Sequence, residues 1–170
     1  MNDKHKTVDV DKIRCLVTTK TIKEYFDGTN IFITGATGFL GKVLTEKLLR
    51  SCSGINKIYI LIRPKRGVEC EVRFQEYVNN EIFNKVREAN QESLKKLAYV
   101  IGDILEPQLG LSETDVKMLQ DNVNIVFHSA ATIKFNEPLK FAADMNVFGT
   151  KKVMDLCLAM KNLKVNENSI

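Results

Sequence analysis

The sequence predicts an α/β protein, a doubly wound parallel sheet with helices on both faces, and three observations predict it. Four short strand-like runs, at residues 31–33, 57–62, 97–101 and 123–127, are separated by stretches of helical pattern. Strands alternating with helices form βαβ units, and such units assemble into a parallel sheet. The first run, Ile31, Phe32 and Ile33, leads directly into three glycines, Gly35, Gly38 and Gly41. A helical stretch follows on which Leu40, Val43, Leu44 and Leu48 recur at spacings of three and four. Strand, glycine turn and helix is the opening of a dinucleotide-binding unit. A pyrophosphate must approach the amide groups at the helix N-terminus, and a Cβ would hold the backbone off. The third glycine lets the helix lie close on the strand. A plain glycine turn between two packing elements is the competing reading, and the strand before and helix after weigh against it.

Four parallel strands joined by right-handed crossovers take the order 3-2-1-4. That is a Rossmann-like sheet, truncated here because the complete fold adds a fifth strand outside the fourth. Its domain is read over residues 25–165, between a polar arm with a lead-in helix at 1–24 and a polar tail at 166–170.

Length and composition bound the function. The chain has 170 residues, 44% hydrophobic and 27% charged, enough to bury a core as one domain. Its net charge of +4 is modest and the cations are scattered, without the dense basic stripe of a nucleic-acid binder. No apolar run approaches the ~18 residues of a membrane helix. The polar N-terminus lacks a signal peptide's apolar core. Cys15, Cys52, Cys70 and Cys157 show no C-x-x-C pairing and read as reduced thiols of an intracellular protein, with no metal site.

In chain order, residues 21–27 carry Ile22, Tyr25 and Phe26 on one helical face, a short lead-in helix stopped by Gly28. The first long helix ends near Arg50, at Ser51-Cys52-Ser53-Gly54. The second strand is followed by Arg63-Pro64-Lys65-Arg66-Gly67. This position meets the adenosine ribose, where an acid would hold the 2′-hydroxyl of NAD and a base admits the 2′-phosphate of NADP. Three cations and no acid stand there, so NADP is expected over NAD, a solvated basic turn being the alternative. Residues 68–94 read as two helices, with Val72, Phe74, Tyr77 and Val78 as one apolar group and Ile82, Phe83 and Val86 as another. The third strand ends in Gly102-Asp103, where Asp103 either holds an adenine edge or caps a turn. Ser112 and Asp115 resemble a capping box opening a helix through Leu119. The fourth strand ends in His128-Ser129-Ala130-Ala131, small residues that leave room for a flat ligand. His128 has no nucleophile or acid near it in sequence and is read as structural. A last long helix starts at Asn136 and Pro138 and runs to about Lys161. Its buried candidates are Leu139, Ala142, Met145, Val153, Leu156, Cys157 and Met160. Asn146 and Gly149 interrupt it, for close packing or for a ligand.

The G-x-x-G-x-x-G spacing resembles the extended short-chain dehydrogenase/reductases. Over residues 25–165 the chain resembles, more narrowly, the alcohol-forming fatty acyl-CoA reductases, particularly the insect ones. The carriers are the run from Asn30 to Lys42, Leu-Ile-Arg-Pro-Lys from Leu61, Gly-Asp from Gly102, Phe-His-Ser-Ala-Ala-Thr-Ile-Lys-Phe from Phe127, and Met-Asn-Val-Phe-Gly-Thr from Met145. The glycine motif is widespread; the Arg-Pro-Lys and His-Ser-Ala-Ala-Thr runs are far more specific. The resemblance implies reduction of a long-chain acyl-CoA to a primary alcohol with NADPH, and residence at the peroxisome or endoplasmic reticulum membrane in the full-length family. It implies that Gly35, Thr37, Gly38, Phe39, Leu40 and Gly41 hold the pyrophosphate. Arg63 and Arg66 would meet the 2′-phosphate, Asp103 the adenine, Ala130 and Ala131 the ribose side, and Asn146 would be the helix asparagine near the cofactor. The family's Tyr-x-x-x-Lys pair is missing, since no tyrosine here has a lysine four places on. No catalytic residue is therefore assigned. The chain reads as the cofactor-binding N-terminal piece of a reductase, the alternative being a nucleotide-binding or regulatory module without chemistry. A sugar-nucleotide epimerase relative shares the glycine motif without the Arg-Pro-Lys run.

Overall fold

The computed structural model describes residues 21–164. The arm expected before residue 21, the tail at 166–170 and Cys15 lie outside the described residues. In order, the elements are α1 (Ile22–Phe26), β1 (Asn30–Thr34), α2 (Phe39–Ser51), β2 (Lys57–Ile62), α3 (Cys70–Val78), α4 (Asn84–Asn90), β3 (Leu97–Ile101), α5 (Glu113–Asn122), β4 (Ile125–His128), α6 (Leu139–Ala143), a π-helical turn (Asp144–Phe148) and α7 (Gly149–Leu158). Short 3-10 turns flank α4, and another spans Pro107–Gly110. The sheet is parallel, in the order β3-β2-β1-β4.

Successive side chains of a strand point to opposite faces, so a central strand builds two cores. Ile31 and Ile33 of β1 join Ile58, Ile60 and Ile62 of β2 under α2, α3 and α4. Phe32 and Leu61 point the other way and pack with Leu119 of α5 and with Val153 and Leu156 of α7. Both faces are thereby covered, which is why the strands read as continuous apolar runs rather than as alternating ones.

Several expectations shift. The fourth strand begins at Ile125, not at residue 123. Val123 closes α5 with its N–H on the Leu119 carbonyl, and only then does Asn124 N–H reach the Asn30 carbonyl of β1. On α2 the inward stripe is Gly41, Thr45, Leu48 and Leu49, whereas Leu40 and Val43 are exposed. Val72 and Leu139 are exposed as well. The last helix is not one regular helix: the π-helical turn carries Asn146, and the α-helix ends at Leu158. Gly149 is closely packed: a Cβ on it would stand 3.2 Å from Ile104 Cδ1. Ser112 caps α5 by accepting from the Asp115 N–H at 3.0 Å, and α5 runs on to Asn122. Cys52, Cys70 and Cys157 are free thiols.

β4 is a sheet edge. Lys164 N–H donates to the Asn124 carbonyl at 2.7 Å, just before β4 begins. Ile133, Phe135, Leu139 and Leu158 are exposed. An open edge beside apolar surface is a template for pairing with another chain. The isolated chain is therefore expected to self-associate, with light scattering showing dimers or larger species that grow with concentration. A monodisperse monomer with one cooperative denaturant transition would count against this.

A candidate nucleotide cleft at the strand ends

In an open α/β sheet, ligands lie outside the carboxyl ends of the strands, where the winding direction reverses. That reversal falls between β1 and β4, and a cleft of about 250 Å³ opens over it. Its floor is the turn after β1, with Gly35, Thr37 and Gly38. One wall is Leu61 and Arg63 at the end of β2, with Arg73 reaching in from α3. Gly102, Asp103 and Ile104 come from the end of β3. Ser129, Ala130 and Ala131 follow β4, and Met145 closes the side of the π-helical turn. A hollow of about 280 Å³ between the Pro107–Gly110 turn, α5 and α7 has mostly apolar walls and lies away from the strand ends.

The floor depends on two glycines. Gly35 has φ +70°, and a Cβ on it would stand 2.5 Å from Ala130 N. The turn can therefore lie directly against the chain leaving β4. A Cβ on Gly41 would stand 2.4 Å from the Gly35 carbonyl oxygen, so its absence lets α2 press onto the turn. Gly38 caps α2 with no side-chain hydrogen bond. The first amides of a helix have no partner inside it, and here no side chain answers them, so they suit an anion.

Charge is arranged on the β2–β3 side. Arg63 lies 3.9 Å from Asp103, through Nε and Oδ2, a loose ion pair on the cleft wall. Asp103 also accepts from Leu105 N–H at 3.0 Å, so it does cap a turn. Arg73 donates from Nη1 to the Arg63 carbonyl, which holds its guanidinium at the mouth of the cleft. Among the described residues no cluster of His, Cys, Asp and Glu could hold a metal.

Of the residues singled out from sequence, Gly35, Thr37, Gly38, Arg63, Asp103, Ala130 and Ala131 line this cleft together. Gly41 does not; it acts behind the floor. Phe39 and Leu40 project their side chains into solvent and offer the cleft only their backbone at the helix start. Arg66 sits on the tip of a tight turn closed by Val68 N–H to the Lys65 carbonyl, outside the lining. Asn146 is turned toward the loop after β4: Thr132 N–H donates to its Oδ1 and its Nδ2 donates to the Thr132 carbonyl, both at 2.9 Å. Arg73 was missed. Its signal was present, because Cys70, Arg73, Phe74 and Tyr77 share one helical stripe, and a cation on an inward stripe calls for a reason.

Sheet order, glycine floor and basic wall define an NAD(P)-binding domain of the Rossmann type found in reductases. The chain belongs to the male sterility protein family, which matches it over residues 33–169. It is 43% identical over 145 residues to fatty acyl-CoA reductase 1 of Mus musculus, covering 85% of this chain and 28% of that protein. Fatty acyl-CoA reductase wat of Drosophila melanogaster is 39% identical over 140 residues, with 82% of this chain and 27% of that one covered. Among solved structures, the terminal R domain from the myxalamid PKS-NRPS biosynthetic pathway superposes with a TM-score of 0.61 at 30% identity, over 81% of this chain and 33% of its own. The chain thus spans about 28% of the length of the curated relatives it matches.

Proposed function

We propose that this chain is the NADPH-binding portion of an alcohol-forming fatty acyl-CoA reductase. The observation that carries the reading is the wall of the cleft: Arg63 at the end of β2 and Arg73 reaching in from α3, with no carboxylate on that strand end to take a ribose 2′-hydroxyl. Two guanidinium forks suit a phosphate, which they bind with paired charged hydrogen bonds. The floor suits a pyrophosphate, which Gly35 and Gly38 admit to the start of α2. NADPH bound there would supply a hydride to an acyl carbonyl. A long-chain acyl-CoA as substrate is supported by the names of the relatives, and residence at the peroxisome or endoplasmic reticulum membrane is part of the same proposal. No helix among the described residues is long and apolar enough to cross a membrane.

A second reading is favoured by one observation. No tyrosine of this sequence has a lysine four places on. A carbonyl reduction needs an acid to protonate the developing alkoxide. The 170 residues alone would then bind nucleotide without turning over acyl-CoA. One pair of measurements covers both readings. The chain is expected to bind NADPH at least tenfold more tightly than NADH, on the scale of one charged hydrogen-bonded contact. It is expected to form no alcohol from NADPH and a long-chain acyl-CoA above a protein-free control. Equal affinities would sink the cofactor reading, and alcohol formation would sink the second one.

A further inference from the structure

His128 is bracketed by hydroxyl groups. Its Nδ1 lies 2.6 Å from Thr34 Oγ1 and its Nε2 3.1 Å from Thr150 Oγ1. The Thr150 hydroxyl gives its own proton to the Asn146 carbonyl at 2.7 Å. Toward the ring it can only accept, which puts the imidazole proton on Nε2. In the neutral ring Nδ1 is then a bare lone pair, to which the fully buried Thr34 hydroxyl can donate. Thr34 is the last residue of β1, next to Gly35, and its carbonyl accepts both the N–H and the hydroxyl of Ser129. Beyond Thr150, Asn146 grips the main chain of Thr132 on both sides.

We propose that His128, held neutral as the Nε2–H tautomer, is a positioning residue that locks the glycine turn, the loop after β4 and the π-helical turn into one wall of the nucleotide cleft. Its effect on nucleotide binding rests on the function proposed above; its tautomer and its hold on the wall do not. Burial alone shifts the ring, and it lowers the pKa. The groups that meet the ring nitrogens from β1 and α7 are hydroxyls, and among the described residues no charged side chain shifts the ring. The sign follows. A group whose folded pKa is lowered contributes fully above its ordinary value, here the ordinary imidazole value, and the contribution is lost as pH falls through the lowered one. A proton added at Nδ1 would confront the Thr34 hydroxyl proton inside the sheet, and that hydroxyl would have to turn away from its partner. The wall, and nucleotide binding with it, weakens on the acid side.

The test uses the full 170-residue chain and its His128→Gln variant. Gln keeps an N–H for Thr150 but cannot titrate. In ¹⁵N-edited imidazole spectra, the signal that vanishes in the variant is expected to be the Nε2–H tautomer and to titrate below free imidazole. Between pH 7.5 and 5.5, NADP⁺ affinity is expected to fall roughly three- to tenfold further in the parent than in the variant, the range set by the net loss of one ordinary hydrogen bond. The 2′-phosphate titrates in the same window, but equally in both. Exchange protection of the Thr132 amide should drop at pH 5.5 in the parent alone. An Nδ1–H tautomer, a ring that titrates like free imidazole, or the same acid response in the variant would overturn the proposal. If neither chain binds nucleotide, the cofactor reading fails, and the tautomer and the Thr132 amide still decide this one. If the variant does not fold, the parent's ring spectra and its Thr132 amide decide.

Discussion

Valine in place of Gly41 is expected to destabilise the chain by about 3 kcal/mol or more, the upper end of what overpacking costs. The reason is where the new atoms would go. A Cβ at this position meets the Gly35 carbonyl oxygen at 2.4 Å, Ala36 Cα at 2.5 Å and Ala36 C at 2.9 Å. All three are backbone atoms, so no rotamer change relieves the contact. Either α2 lifts off the turn or the turn moves off the sheet. Lifting α2 uncovers Ile31 and Ile33, which pack with its Leu48 and Leu49 in one core. Domains of this size are held by ~5–15 kcal/mol in all, so the loss is a large share of the total. Gly38→Ala makes the contrast. Its Cβ would stand 3.2 Å from the same oxygen and meet nothing else within contact distance. That variant should unfold close to the parent while binding nucleotide more weakly, because the added methyl stands at the start of α2 where the pyrophosphate would approach. Denaturant unfolding of the three chains decides the matter. A Gly41→Val midpoint indistinguishable from the parent's would show that the turn and the helix are not in the contact described.

The strand order was legible because the strong signals are local. An apolar run, a glycine turn and a helix fix one βαβ unit, and handedness fixes how the units join. Which face a helix buries was less legible. On α2 the large residues Leu40 and Val43 suggested one stripe, yet the contact face begins with Gly41 and Thr45. Where helix and sheet come closest, small residues make the contact, and a count of large apolar residues passes over them. The last helix misled for a related reason. A π-helical turn shifts every later side chain relative to a regular repeat. Here it leaves Asn146 gripping Thr132 while Met145 still faces the core. The Pro107–Gly110 turn was not legible at all. Gln108 and Leu109 hold φ of 50° and 61°, a left-handed backbone that residues with side chains rarely adopt. Leu109 is fully packed there, and its carbonyl accepts the Asp103 N–H at 2.8 Å. Long-range packing decides that conformation, and nothing in the local sequence announces it. The basic wall was legible in part, since the inward stripe of α3 carries Arg73. The cations after β2 are adjacent in sequence, but a tight turn sends Arg66 away and α3 brings Arg73 back.

Replacing Arg63 and Arg73 together with alanine is expected to remove the preference for NADPH over NADH. The loss in NADPH affinity should be about a hundredfold, and NADH should change by no more than about threefold. A hydrogen bond to a charged group contributes ~1.5–3 kcal/mol, and about 1.4 kcal/mol is tenfold. Two such contacts would exceed a hundredfold if both were dry, but the Arg63 side chain is 60% exposed, so solvent screening discounts its share. The single changes should not be equal in kind. Arg63→Ala takes the cation away from Asp103, leaving a carboxylate 21% exposed on the cleft wall to repel a phosphate. Arg73→Ala removes a fork already fixed by its bond to the Arg63 carbonyl, and with it the hold on the chain just past β2. Arg66→Ala serves as the control, since Arg66 is exposed on the turn tip and should alter NADPH affinity by less than about twofold on the scale of an exposed charge. Salt provides an independent reading: raising ionic strength should weaken NADPH binding to the parent more than NADH binding, and the difference should vanish in the double variant. Should Arg66→Ala lose as much as Arg73→Ala, the phosphate seat would lie on the 65–68 turn, and the cleft wall described above would not be what selects the cofactor.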